Sequence, residues 1–400
     1  MYKIRYYIPL FFFTALIFAQ DQTSSNNESF NINDLKSGLL VPGLEFEFLY
    51  VGDFWSNVSA NDKSIVYLDN FNLDLNLDLE TLSGWKGGGF FFSILGNNGK
   101  DPNEQVGSVQ GIDNIAAYST WKIYQLYFTQ ELLDGKISML AGLFDLNSEF
   151  DVRECSGVFI NPSHGIGADY ALTGQNGPSI FPTTSIAFRV LYHFNDNWNL
   201  RSAVFDGVPG AVNNPKGTQI VFDKNDGLLF TSELTYENED SGCSKYSLGG
   251  WYYSGDFETL DEISKNGNMG MYFSGEQPIF RPIQDQSLNA FIRFGFSDSE
   301  INQVNSYFGA GLNYNGLFGR EEDVIGLAVA VAHNNSNFIS GLKNEGILIG
   351  ENEYNIELTY YFSLLPNIKI QPDLQYVINP VEGNQSKNYF VAGTRVYLTF

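Results

Sequence analysis

Residues able to do chemistry concentrate between Asn147 and Thr183. Asn147, Glu149, Asp151, Arg153 and Glu154 come first. Asn161-Pro162-Ser163-His164-Gly165 follows, then Asp169 and Thr173-Gly174-Gln175-Asn176-Gly177-Pro178-Ser179-Ile180-Phe181-Pro182. Carboxylates only accept hydrogen bonds, Arg only donates, and Asn and Gln do both. That mixture suits neutral, hydroxyl-rich solutes better than ions. A phosphate-selective site would cluster Lys and Arg, and here Arg153 is alone. The Gly and Pro residues set tight turns. A solvated surface loop is the plainer alternative.

Ser163, His164 and Asp169 have the residue types of an acyl-transfer relay. Chain neighbours rarely place a serine against a histidine ring in that geometry, so no catalytic residue is expected. His193 and His333 stand alone, no metal-ligand spacing appears, and no cofactor is expected.

The frame for this segment reads as β-structure. Phe71, Leu73, Leu75, Leu77 and Leu79 alternate with Asn72, Asp74, Asn76, Asp78 and Glu80. In a strand, successive side chains face opposite ways, so one face is apolar and the other polar. A helix would scatter the leucines around its circumference. The same alternation recurs in Leu44–Tyr50, Ile186–Phe194, Leu228–Tyr236, Ile292–Phe296, Ile325–Val331, Tyr354–Phe362 and Phe390–Phe400. It predicts about sixteen strands, beginning near residues 44, 70, 88, 121, 136, 184, 198, 228, 244, 268, 288, 306, 323, 353, 367 and 390. Strands near ten residues long suit a tilted membrane crossing, whereas a soluble sandwich, the alternative, uses strands of about five or six. Short links alternate with long ones: Val51–Asp69, Asn97–Thr120, Asn147–Thr183, Gly207–Gly227 and His333–Asn352 are long. Pro278–Ser287 is long for the short side.

Composition agrees. The chain has 400 residues, of which 17% are charged, against about 25% in soluble proteins. Mean hydropathy is −0.15, too polar for a bundle of membrane helices. With 34 Phe and 23 Tyr the chain is not a disordered acidic protein. A formal charge of −24 excludes nucleic acid as a partner. The expected fold is an all-β, antiparallel, up-and-down transmembrane barrel of about sixteen strands, the only sheet that leaves no unpaired backbone in lipid. The long segment above, following the fifth strand, must either cap the mouth of such a barrel or fold inward. So many strands leave a water-filled channel, with Arg189, Arg201, Arg293 and Arg395 on the inner face.

Residues 1–19 read as a secretory signal: Lys3 and Arg5, the apolar stretch Ile8–Phe18, then Ala19. A single N-terminal anchor is the alternative. A short segment, 20–43, then precedes a barrel domain at 44–400. Cys155 and Cys243 are expected at opposite ends of the barrel as two thiols.

Several motifs resemble the carbohydrate-selective porin family of Gram-negative bacteria, the OprB family. They are Asp145-Leu146-Asn147-Ser148-Glu149-Phe150-Asp151, Ser163-His164-Gly165-Ile166-Gly167 and Thr173 to Pro182. Phe205-Asp206-Gly207-Val208-Pro209-Gly210, Gln371-Pro372-Asp373-Leu374-Gln375-Tyr376-Val377, and the glutamates Glu353 and Glu357 join them. Asn379-Pro380-Val381-Glu382 departs from the family, which usually has Gly after Pro. The resemblance implies sixteen strands in the outer membrane, a constriction formed by the third loop, and passage of glucose and other sugars by passive diffusion. A general, weakly cation-preferring pore and a purely structural barrel are the alternatives. The implied contact set is Asn147, Glu149, Asp151, Arg153, Glu154, His164, Asp169, Asn176, Arg189, Arg201, Asp206, Arg293, Asp373 and Gln375. Implied partners are sugar solutes, outer-membrane lipid and, through the terminal Phe400, the outer-membrane assembly machinery. Monomer and homotrimer both stay open.

Overall fold

The computed structural model describes residues 41–60, 63–238, 244–283, 286–381 and 387–399. The first eight strands are β1 (Leu44–Asn57), β2 (Ile65–Asp78), β3 (Gly88–Gly99), β4 (Thr120–Leu132), β5 (Ile137–Phe144), β6 (Ser185–His193), β7 (Trp198–Asp206) and β8 (Leu228–Asn238). The second eight are β9 (Ser244–Glu258), β10 (Ser264–Ile283), β11 (Gln286–Ser297), β12 (Val304–Asn315), β13 (Val324–Asn334), β14 (Asn352–Leu365), β15 (Ile368–Ile378) and β16 (Tyr389–Thr399). Each pairs antiparallel with its chain neighbours, and β16 returns to β1 over Leu49↔Thr399 to Asn57↔Val391, closing the barrel. No helix among the described residues is long and apolar enough to cross a membrane.

Register explains the alternation. Leu200, Leu234, Leu248, Phe273, Phe294 and Phe308 are successive cross-strand partners, an apolar row around the outside. One residue along, Arg201, Glu233, Gly249, Tyr272, Gly295 and Tyr307 form the matching inner row. A slip of one residue would exchange the two faces, turning the charged row toward lipid. Closure also removes the two free edges of an open sheet, where each unpaired N–H or C=O group costs on the order of 2–7 kcal/mol in hydrocarbon.

Two expected connections are corrected. The link expected at Val51–Asp69 is only 58–64, because β1 and β2 run on through it. Gly52 and Asp53 interrupt the apolar pattern there, yet Asp53 faces inward and pairs with Arg395. The long link at Pro278–Ser287 disappears because β10 continues to Ile283. The ladder shifts register between Pro278 and Phe280 and again before Ile283, and Pro, which lacks an N–H, is tolerated at such a bulge. Cys243 and Phe400 lie outside the described residues; Cys155 is buried.

Three connections on the side of the long loops matter below: loop 2 (100–119), loop 3 (145–184) and loop 4 (207–227).

Candidate functional site

Loop 3 is built from local caps. Asp145 accepts from Asn147 N (2.8 Å) to start the 3-10 turn Leu146–Ser148. Asn161 accepts from Ser163 N (3.1 Å) to start Pro162–His164. Along the loop the apolar side chains Leu146, Phe150, Ile166 and Tyr170 are buried against Phe205, Leu229, Trp251, Tyr253 and Tyr272 of the wall. Tyr170 stacks on Trp251 at 5.1 Å between ring centres, planes 8° apart. Burying side chains of this size contributes on the order of 2 kcal/mol each, which is enough to hold an irregular segment in place.

The backbone of the loop is held by glutamates of the wall. Glu233 accepts from Asp151 N (2.9 Å). Glu276 accepts from Glu154 N (3.0 Å) and Cys155 N (2.7 Å). Glu357 accepts from Ile160 N (2.5 Å) and Asn161 N (3.0 Å). Gln371 donates to Val158 O (2.5 Å), Asn313 to Cys155 O (2.5 Å), and Tyr307 to Ser163 O (2.8 Å). A segment with no sheet partner must satisfy its N–H and C=O groups somehow, and here polar wall side chains supply the partners.

Two charge clusters lie along the same path. Arg293 of β11 donates from Nη2 to Asp151 (3.0 Å) and from Nη1 to Asp169, with its guanidinium 5.3 and 5.2 Å from the ring centres of Tyr272 and Tyr307. Arg153 pairs with the other oxygen of Asp151 and donates to His164 O (2.9 Å) and Gly165 O (3.0 Å). Gly167 and Gly295 leave the space: a Cβ at either would collide with Arg293 and Asp169. In the second cluster Glu149 bridges Arg189 (2.6 Å) and Arg201 (3.1 Å), and Arg201 reaches on to Glu233 (3.2 Å).

Loop 2 is part of the same assembly, and sequence reasoning passed over it. Glu353 accepts from Ser108 Oγ (2.6 Å), Val109 N (2.9 Å) and Gln110 N (3.1 Å). Asp113 joins Arg395 (2.9 Å) and accepts from Trp55 Nε1 (2.6 Å), while Arg395 also pairs with Asp53 (2.7 Å). The loops meet through Asn114 N to Ile160 O (3.0 Å) and Asn161 Nδ2 to Gly111 O (2.9 Å), over the buried side chains Ile112 and Ile160. The one available signal was Glu353 and Glu357, two carboxylates on an otherwise uncharged inner strand face.

The fourteen expected contact residues therefore divide. Asp151, Arg153, His164, Asp169, Arg189, Arg293, Asp373 and Gln375 are all buried, and except at His164 the protein itself takes up most of their hydrogen-bonding capacity. Gln375 bonds to Ile112 O (2.8 Å), Asn355 (2.9 Å) and Asp373 (3.2 Å). Asp206 shares the parity of Ser202 and Val204, on the outer face, because Arg201, Ala203 and Phe205 are the inward residues of β7; the motif identified it, but alternation assigns it to the other side. Glu154 and Asn176 are exposed, Asn147 half-buried, and the side chains of Glu149 and Arg201 keep 23% and 14% of their surface.

Ser163, His164 and Asp169 form no relay, since Asp169 is committed to Arg293 and neither His164 nitrogen has a hydrogen-bond partner among the described residues. His164 lies between the Phe159 and Phe291 rings (4.9 and 5.9 Å). Burial, with Arg153 nearby, pushes its pKa down to about 3. Its 3.9 Å approach to Glu357 is thus that of a neutral ring. The described residues contain no group of three or more His, Cys, Asp or Glu suited to a metal.

Comparison with known proteins gives the same picture. Porin B of Pseudomonas aeruginosa is 25% identical over 91% of this chain and 89% of its own length. The high-pH structure of Pseudomonas putida OprB superposes with a TM-score of 0.81 at 22% identity, covering 92% of this chain and 97% of that one. The outer membrane channel DcaP of Acinetobacter baumannii shares the fold at a TM-score of 0.56 and 10% identity, over 89% and 97%. The family model for carbohydrate-selective porins matches residues 62–400. With its closed sixteen-strand wall and polar interior, the chain belongs to the OprB family of carbohydrate-selective porins of the outer membrane.

Proposed function

We propose that loop 3, braced by loop 2, crosses the lumen as a constriction, and that glucose and related sugars pass it down their gradient without energy input. One observation carries this reading. Loop 3 bonds to side chains of β8, β10, β11, β12, β14 and β15, strands spread around a closed wall. A single segment reaches them all only from within the cylinder, since the outer face is apolar.

The buried clusters fix the path of the constriction, and the partly exposed side chains on it meet the solute. Glu149 and Arg201, oriented by Arg189, with Asn147, Glu154 and Asn176, present acceptors and donors in place of the water that a sugar hydroxyl sheds. Such contacts stay weak, because a solute held tightly blocks flow. Residues 1–19 direct export, and Phe400 presents the finished barrel to the assembly machinery. Liposome swelling with glucose and with a neutral amino acid of similar size tests the reading. Faster swelling in glucose supports it; equal rates leave a general pore.

Weak cation preference is a second reading, favoured by Glu45, Glu47 and Asp74, which keep exposed surface on the inner face at the far end from loop 3. A reversal potential measured in a salt gradient decides it, zero potential ruling it out.

A further inference from the structure

The wall is lowest where loop 3 leaves it. β5, β6 and β7 have 8, 9 and 9 residues, against 13 in β4 and 14 in β2. β5 pairs with β4 only over Leu126–Leu132, so the part of β4 from Thr120 to Gln125 has no β5 residue beside it. Thr184, at the exit of loop 3, takes some of that place by donating from Oγ1 to Tyr124 O. Loop 4 takes more. It begins at β7 and ends at β8, yet Gly217 N donates to Thr120 Oγ1 (3.0 Å) and Thr218 Oγ1 to Ile123 O (2.8 Å). It is also tied to loop 3 through Asn176 Nδ2 to Pro209 O (2.6 Å). The loop therefore spans the notch above β5 and β6 and closes on β4.

Two residues after Thr218 come Ile220, Val221 and Phe222, exposed by 54%, 44% and 69%. Three adjacent apolar residues this open are out of place in a loop surrounded by water. On the outward face of β4, next to the bonded Ile123 backbone, Trp121 is 65% exposed, Ile123 36% and Leu126 37%. These belong to the apolar belt that meets lipid, and the loop 4 run continues it. Asp223 and Asp226 then close a polar turn, Asp223 N to Asp226 Oδ2 (2.9 Å), that ends the apolar stretch.

We propose that loop 4 is a membrane-embedded strap that seals the notch above β5 and β6 and places Ile220, Val221 and Phe222 among the acyl chains of the outer leaflet. The strap separates lipid from the aqueous lumen at the place where the wall is shortest. Its occupant is lipid because the patch is continuous with the lipid-facing belt, and because the polar turn after it returns the chain to the depth of the headgroups.

Nitroxide side chains attached at Ile220→Cys and, separately, Phe222→Cys test this in the full chain carrying Cys243→Ser. The protein is reconstituted into phosphatidylethanolamine/phosphatidylglycerol vesicles, and the parent without a new cysteine must take up no label. Collision rates are read with oxygen, which partitions into lipid, and with a water-soluble nickel chelate. Met269→Cys on the outer wall is the lipid reference and Lys216→Cys the aqueous one. An oxygen-to-nickel ratio at 220 and 222 within about twofold of that at 269 is the expected result. A ratio matching position 216 at both sites would overturn the proposal. Dipolar broadening between labels on different chains would do so too, since a second copy rather than lipid would then cover the patch. The two label sites are independent, so misfolding of one variant leaves the other to decide.

Discussion

Arg293→Met is expected to release part of loop 3 while leaving the barrel intact. The guanidinium is 1% exposed and neutralises Asp151 and Asp169, both fully buried. Methionine fills much of the same volume between Tyr272 and Tyr307 but leaves Asp169 with no cation and Asp151 with Arg153 alone. Breaking a buried pair by removing one member costs about 3–5 kcal/mol. At about 1.4 kcal/mol per tenfold, that raises the population of the released loop by roughly two to three and a half orders of magnitude. The wall keeps its full ladder, so the change falls on the channel. Single-channel recordings should show larger and noisier conductance, glucose should block less well, and the melting transition should move down. Adding Asp151→Asn and Asp169→Asn to Arg293→Met removes the orphaned charges and should recover part of the stability. If Arg293→Met matched the parent in conductance, glucose block and melting, the buried cluster would not be what holds the loop. If the triple variant were weaker than Arg293→Met alone, the assignment of the loss to uncompensated charge would be wrong.

Three further outcomes are expected. Glu149→Gln, at a partly exposed position, should change sugar flux several-fold in liposome swelling and lower the melting transition less than Arg293→Met does, because its carboxylate is partly solvated whereas Asp151 and Asp169 are fully buried; an unchanged glucose rate would remove Glu149 from the solute path. His164 is neutral when folded, with a pKa near 3 against about 6.5 in an open chain. The open chain therefore takes up the proton first, stability is complete above about pH 6.5, and it falls as pH drops toward 3, by about 3 kcal/mol at pH 4. Comparing melting of the parent and His164→Leu at pH 7 and pH 4.5 isolates this part, and identical pH slopes would refute it. Gly295→Ala puts a methyl group into the Arg293–Asp169 contact and should cost about 1–3 kcal/mol, seen as a lower melting temperature; an unchanged melt would mean that the cluster has room.

The strands were legible because a lipid-exposed wall enforces strict alternation: Leu327 and Leu358 lie directly opposite each other and read as apolar positions in two separate segments. Reading failed where the inner face dominates the pattern. Val51–Asn57 mixes Gly52, Asp53 and Trp55, and only the partners Arg395 and Asp113 give these residues a reason to be in a strand. The constriction was legible as a segment but not as a set of roles. Asp151 and Glu149 look alike in a string, yet one is sealed under Arg293 and the other bridges two arginines with surface to spare. Loop 2 left little trace. Its side-chain partners Ser108 and Asp113 fall in no recognisable spacing, and part of its tie to the wall runs through the backbone N–H groups of Val109 and Gln110, which any residue except proline carries.

That last feature reaches beyond this chain. Because Glu233, Glu276, Glu353 and Glu357 grip main-chain amides, most loop residues can be exchanged without touching the grips. Selectivity can then be rewritten in the tenant while the landlord stays unchanged: grafting a new loop between the same four carboxylates should redirect what passes without asking the cylinder to refold.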